Sequence, residues 1–271
     1  MKRIIELIVS VISILFCSLI SCSCSTNGLP INAAVFPDDS FRNYVLENCD
    51  TNRNGLLSPE EIETVTKVQI IEMGVCDITG IEHFTNLEEL YCQNNSIIVL
   101  DVSENINLKH LVCANNKIRS LDVSKNLMLE DLFCSSNELF SLDISHNANL
   151  LRLDCTMNYL DSLDTSENLY LTYLDCRYNR ISELDFTNNA NIYKIDCSNN
   201  NISTLNLAGT NPTVLSCESN PITNIDVTDC QSLLCLVNNS TTTELTASCV
   251  MYFKDGVYIC ADIDDQVVSS D

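Results

Sequence analysis

A cysteine returns every 21 residues along the middle of this chain, at Cys92, Cys113, Cys134, Cys155, Cys176 and Cys197, and Cys217 follows after 20. Each stands in one frame, L-x-x-L-x-C-x-x-N-x-[LI]-x-x-L-D-x-[ST]. The first copy reads Leu87, Leu90, Cys92, Asn95, Ile97, Leu100, Asp101, Ser103. Five copies are nearly perfect, the sixth drifts to Ile192, Ile195, Cys197 and Asn206, and the seventh runs through Cys217, Asn220, Ile222 and Asp226. A degenerate copy, Val68, Ile70, Met73, Val75, Ile78, precedes them. Self-similarity at such a period marks a chain that folds as a stack. The alternation in L-x-x-L-x-C predicts a short strand with one face buried. Twenty-one residues cannot bury that face alone, so neighbouring coils must cover it. Stacking joins the strands into a parallel sheet and the Leu into one core, each buried Leu or Ile contributing about 1.5–3 kcal/mol. Eight rungs at ~4.8 Å each make a sheet roughly 35–40 Å long. The Asn at each turn can satisfy backbone groups that point inward where the chain leaves the strand.

The frame resembles the leucine-rich repeats of bacterial internalins, in the subgroup with Cys in place of one Leu, and the likeness spans about residues 65–236. It implies an α/β solenoid with a curved parallel sheet on its concave side, a short helical N-terminal cap, and an irregular or 3-10 convex side. The expected organisation is a lipoprotein-type signal peptide at 1–21, a linker at 22–35, a helical cap at 36–66, repeats at 67–236, and a C-terminal cap and tail at 237–271, flexible and acidic after Ile263.

The address follows from the first residues. Lys2 and Arg3 precede an apolar run from Ile4 to Ile20, short for a membrane span and placed at the extreme N-terminus. Its end, Leu19-Ile20-Ser21-Cys22, resembles the bacterial lipobox, in which the Cys is acylated and becomes the first mature residue. The expectation is an exported lipoprotein held at the bacterial cell surface through Cys22. The formal charge of −23 argues against nucleic acid and against anionic lipid surfaces, so membrane contact is expected only through the anchor.

Sixteen Cys in an exported chain suggest disulfides. The ladder argues otherwise. Equivalent Cβ atoms on neighbouring rungs lie about 4.8 Å apart, whereas a disulfide needs about 3.5–4.5 Å. The ladder cysteines therefore read as small buried hydrophobes with free thiols. His110 falls on an outward strand position and Cys113 on an inward one, which breaks any Cys–His pair. Bridges among Cys230, Cys235, Cys249 and Cys260 are open, with no pairing legible.

Between signal and repeats, Asp38 or Asp39 can cap a helix whose apolar face is Phe41, Tyr44 and Val45. The segment Asp50-Thr51-Asn52-Arg53-Asn54-Gly55-Leu56-Leu57-Ser58-Pro59-Glu60-Glu61 then matches the EF-hand loop. Asp50, Asn52 and Asn54 would offer side-chain oxygens to Ca²⁺, Leu56 its carbonyl, Ser58 its hydroxyl or a bridging water, and Glu61 two carboxylate oxygens. A helix is expected from Ser58 to Thr66. With two charged ligands and Arg53 inside the loop, affinity should be weak, ~10⁻⁴–10⁻³ M, and the ion structural.

The remaining strand positions face solvent. One column runs Tyr91, Val112, Phe133, Asp154, Asp175, Asp196, Ser216, apolar and then acidic; its neighbour runs Glu89, His110, Asp131, Arg152, Tyr173, Lys194, Val214. Exposed aromatics on a rigid sheet are common binding anchors. Tyr91, Phe133, Arg152, Asp154, Tyr173, Asp175, Lys194 and Asp196 are the candidate contacts to a protein partner. The second Asp series, Asp101, Asp122, Asp143, Asp164 and Asp185, belongs to the repeat frame. The leading expectation is a surface-tethered module for adhesion or recognition. The alternative is a structural cell-envelope scaffold with no specific ligand. No nucleophile–base frame, phosphate loop or metal signature stands in the repeats, so no enzyme is expected.

Overall fold

The computed structural model describes residues 28–222, then 224–227, 230–233 and strands at 235–237, 244–246, 249–254 and 257–262, the last four as backbone alone. The expected signal peptide, Cys22 and the tail expected after Ile263 lie outside these residues.

The rungs stack as their period requires. Strands β3 (Lys67–Gln69), β4 (Glu89–Tyr91), β5 (His110–Val112), β6 (Asp131–Phe133), β7 (Arg152–Asp154) and β8 (Tyr173–Asp175) pair in parallel and in order. Strands β10 (Lys194–Asp196), β12 (Val214–Ser216) and β14 (Cys235–Val237) continue the sheet. The register sets Leu90, Leu111, Leu132, Leu153, Leu174, Ile195 and Leu215 side by side. All seven are fully buried. The cysteines two residues on form a second interior column, each of Cys92 to Cys197 with no exposed surface. Their backbone N–H groups continue the ladder, as in Cys92 N to Val112 O at 2.8 Å and Cys113 N to Phe133 O at 2.9 Å. Burial pushes the Cys92 and Cys217 thiols up to about 12.

The Asn after each Cys stitches two rungs together. Asn116 Nδ2 donates to Cys92 O (2.9 Å) and Cys113 O (3.0 Å), while its Oδ1 accepts from Ile97 N (3.0 Å). Asn137, Asn158, Asn179, Asn200 and Asn220 repeat the pattern. Past the turn, the convex side is mostly tight turns. A single 3-10 turn, Ile81–His83, occurs there among the described residues, and the expected irregularity gives way to short parallel pairs of β9 (Glu183–Asp185) with β11 (Thr204–Asn206) and β13 (Asn224–Asp226) with β15 (Glu244–Thr246).

The N-terminal end of the core is closed. Helix α1 (Asp39–Asn48) starts at Asp38, whose carboxylate accepts from Ser40 N and Phe41 N, and it buries Phe41 and Val45. Phe36 meets Phe41 edge-on and stacks on Phe84 of the first coil. Gly80, at φ +107°, leaves room for that ring, since a Cβ there would stand 2.3 Å from it. The open edge of β3 is blocked by Tyr44, whose hydroxyl accepts from Gln69 N at 3.0 Å. At the far end, in the segment expected as cap, β16 (Cys249–Lys254) joins β14, and β17 (Val257–Asp262) folds back antiparallel upon it.

Candidate functional site

Two places combine polar chemistry with exposure: the loop before the repeats and the outward face of the sheet.

The loop residues read as calcium ligands fall within one compact turn. Asp50 is buried; its Oδ1 accepts from Asn54 N (3.2 Å) and its Oδ2 from Gly55 N (2.8 Å). Asn52 Oδ1 accepts from Asn54 N (3.1 Å), and Asn54 Oδ1 from Leu56 N (2.8 Å). Strand β2 (Leu56–Leu57) pairs antiparallel with β1 (Leu29–Pro30), so Leu56 belongs to a two-stranded clasp. Ser58 caps helix α2 (Pro59–Thr64), and its hydroxyl accepts from Glu61 N at 3.1 Å. Glu61 closes the loop. Its Oε1 accepts from Thr51 N (2.8 Å), Thr51 Oγ1 (2.6 Å), Asn52 N (3.2 Å) and Asn52 Nδ2 (3.0 Å), and its Oε2 from Ser58 N (2.9 Å). Thr51's hydroxyl is the first of the donors that hold this carboxyl down at about 2. The oxygen set suits a hard cation in type but only partly in readiness. The residue meant to supply two oxygens is already saturated with donors, and an ion would have to displace them.

On the sheet, the candidate contacts occupy the two columns expected. The register aligns Tyr91, Val112, Phe133, Asp154, Asp175 and Asp196, and beside them Glu89, His110, Asp131, Arg152, Tyr173 and Lys194. The aromatic rings are held by cations: Lys67 Nζ lies 4.8 Å from the Tyr91 ring centre, Arg152 5.6 Å from Phe133 and Lys194 5.0 Å from Tyr173. Each contact fixes a ring and its cation as one unit.

Asp131 was not among the candidate contacts, yet it organises this half of the face. It is 3% exposed and accepts Arg152 Nε and NH2 at 2.5 Å each, together with His110 Nδ1 at 2.6 Å. Burial raises the Asp131 carboxyl, but the hydrogen bonds from Arg152 and His110 outweigh it and leave it below its usual value. An opposite charge one period ahead was the signal in the sequence that could have revealed the pair.

The acidic half needs a correction. Asp175 is not an open contact but a buried one, 4% exposed, because Arg177 and Thr156 cover it. Arg177 donates to its carboxylate from Nε (2.9 and 3.1 Å) and NH2 (2.7 Å), and Thr156 Oγ1 donates at 2.8 Å. The same guanidinium lies 3.4 Å from Asp196. Burial raises the Asp196 carboxyl in spite of the Ser198 and Arg177 contacts. Asp154 stays half-buried and accepts from Thr156 N at 3.0 Å.

Two further columns were not read from the sequence. Asn105, Asn126, Asn147, Asn168 and Asn189 are wholly buried on the opposite side of the coil. Each amide donates to two carbonyls of the preceding coil, as Asn147 does to Val123 O (3.0 Å) and Asn126 O (2.9 Å). Two residues after each cysteine, the backbone is left-handed at every rung: Asn94, Asn115, Ser136, Met157, Tyr178, Asn199 and Ser219 all have φ of 53–60°.

The described coils can be set beside known proteins. The family model for leucine-rich repeats, two copies, matches residues 66–127. Internalin J of Listeria monocytogenes serotype 4b (strain F2365) is 36% identical over 70 residues, 26% of this chain and 8% of that protein. Among solved structures, the functional domain of InlJ from Listeria monocytogenes, which includes a cysteine ladder, is 28% identical, covers 85% of this chain and 62% of its own, and has a TM-score of 0.58. Internalin C2 from L. monocytogenes str. 4b F2365 superposes over its full length and 80% of this chain, at 18% identity and a TM-score of 0.69. The fold is a leucine-rich-repeat solenoid, similar to those of bacterial internalins. The chain spans less than two thirds of the InlJ domain and a small part of full Internalin J.

Proposed function

We propose that this chain is a recognition module that binds a protein partner through the outward, concave face of its sheet. One observation carries the reading: Tyr91 and Phe133 in one column of the sheet and Tyr173 in the adjoining column each have a ring braced by a neighbouring cation. Pre-set aromatic anchors bind at a low cost in conformational entropy. The likeness to internalins supports the class, and adhesion is the activity it suggests. The reading extends to tethering at a bacterial surface through acylated Cys22, for which palmitate labelling lost in Cys22→Ala is the test. Tyr91→Ser together with Phe133→Ser should abolish capture of a partner from host-surface extracts while the circular dichroism spectrum stays unchanged. Undiminished capture favours a scaffold without a specific ligand, a reading that the internal pairing of Asp131 and Asp175 also supports.

For the loop at 50–61 we propose weak, structural Ca²⁺ binding, ~10⁻⁴–10⁻³ M, since the ion must draw Glu61 away from Thr51 and Asn52. Calorimetry that finds no heat at millimolar calcium overturns it.

A further inference from the structure

We propose a second recognition surface on the edge of the solenoid where the chain leaves the strands, built from Phe140, Met157, Tyr159, Tyr178 and Arg180. Its occupant is a segment of a neutral or basic protein that presents an apolar side chain beside a carboxylate.

The argument starts from backbone conformation. The position two residues after each cysteine is left-handed, a state that Asn tolerates and bulky side chains resist. Five of the ladder rungs place Asn or Ser there. Met157 and Tyr178, at φ 53° and 54°, are the adjacent exceptions. Neither packs into the core, for they are 52% and 49% exposed. Met157 accepts a weak, exposed contact at Sδ from Ser136 Oγ at 3.6 Å; beyond it, folding gains little from these two side chains that Asn would not give with less strain. Strained residues held outward are a mark of a contact made with something else.

Their surroundings supply the rest of the site. Phe140 and Tyr159, 55% and 41% exposed, stack with ring centres 5.3 Å apart and an interplanar angle of 27°. The Arg180 guanidinium lies 5.0 Å from the Tyr159 ring centre. Two other arginines are committed: Arg119 binds Glu138 at 2.9 Å and Arg177 binds Asp175 at 2.7 Å. Arg180 has no ion pair among the described residues. An exposed cation amid rings and a thioether suits a carboxylate flanked by an apolar group, the Met sulfur adapting to its shape. The charge of −23 narrows the carrier. A second copy, an anionic membrane or a strongly acidic protein would be repelled by the chain as a whole. A neutral or basic protein with one local carboxylate meets both conditions.

The test uses the full chain with 13C-methyl methionine and N-acetyl-phenylalanine as probe, read by NMR at the Met157 methyl. The proposal expects a saturable shift, several-fold weaker with the uncharged N-acetyl-phenylalaninamide and several-fold weaker in Arg180→Gln. Equal shifts with acid and amide, no shift at all, a shift with N-acetylglucosamine alone, or one that follows protein concentration overturns it, the last two pointing to a glycan or a second copy. Separately, Met157→Asn and Tyr178→Asn should each raise the thermal midpoint. A fall would show that these side chains serve the coil, and would overturn the claim that they are kept for contact.

Discussion

The buried Asn column makes a prediction that runs against ordinary core substitution. Asn105, Asn126, Asn147 and Asn168 have side-chain oxygens with no hydrogen-bond partner and no solvent. The next in the series, Asn189, differs: Thr165 Oγ1 donates to its Oδ1 at 2.8 Å. The geometry is otherwise the same, because Asn189 Nδ2 donates to Thr165 O (3.0 Å) as Asn147 Nδ2 does to Val123 O (3.0 Å). Thr165 thus occupies the position that Val102 and Val123 hold in earlier coils. Thr165→Val should strand an acceptor and cost about 1 kcal/mol, the low end for an unsatisfied buried group, since four coils already tolerate the state. Val123→Thr should do the reverse. A buried hydroxyl ordinarily costs about 1–3 kcal/mol when unpaired, but here it meets an acceptor whose desolvation has already been suffered, so the net change is roughly 0 to 1 kcal/mol of stabilisation. Val68→Thr is the control. Val68 is equally buried on β3, and no orphaned oxygen of the Asn column belongs to its strand.

Urea unfolding of the three variants, compared at equal slope, measures these differences. The sign that matters is the contrast between Val123→Thr and Val68→Thr, which should separate by about 1–4 kcal/mol. If both destabilise alike, the orphaned oxygens are not available acceptors and the reasoning fails.

Four other outcomes follow from the buried groups. The ladder thiols should resist iodoacetamide in the native state at pH 8 and react only on unfolding, with mass spectrometry finding them unpaired. Because burial holds Cys92 up at about 12 against an ordinary 9.0, stability should be whole below pH 9 and fall as pH rises toward 12, as the unfolded chain loses protons first. Glu61 has the opposite sign: its carboxyl is held at about 2 against 4.5, so its contribution is whole above pH 4.5 and is lost as pH falls toward 2, and Glu61→Gln should flatten that limb of an acid titration followed by circular dichroism. Asp131→Asn leaves Arg152 without its carboxylate and should cost about 2 kcal/mol in urea unfolding, less than a fully buried pair because Arg152 can reach water. A cost equal to that of a surface pair, about 0.5 kcal/mol, would show Asp131 to be replaceable.

The stack was legible because a 21-residue period admits few other folds. The interior columns through Leu90 and Cys92, and the stitching by Asn95 and its successors, needed only the frame and the demand that buried backbone groups be paired. What escaped had one of three causes. Asn105 and its series carry the same period, but a polar residue beside a turn looks solvated until the coil's inward curl buries it. Asp131 and Asp175 lie in columns that were read, yet their burial depends on how far Arg152, Arg177 and Thr156 reach along and across rungs. The hairpin of β16 and β17 has no period, so nothing in the frame announced it.

This difference indicates where function should be sought. Positions that repeat are explained by the stack, which uses every coil in the same way. A residue that breaks its column at some cost to the coil has no such explanation. Ser and Asn satisfy the left-handed turn at Ser136 and Asn199, so Met157 and Tyr178 between them require a reason outside the coil. Phe133 likewise gives way to Asp154 on the next rung, with no change in the core beneath, where Leu132 and Leu153 pair unaltered. The solenoid supplies a uniform frame, and the departures from uniformity on its outward face and its edge are where a partner could tell this chain from others built on the same repeat.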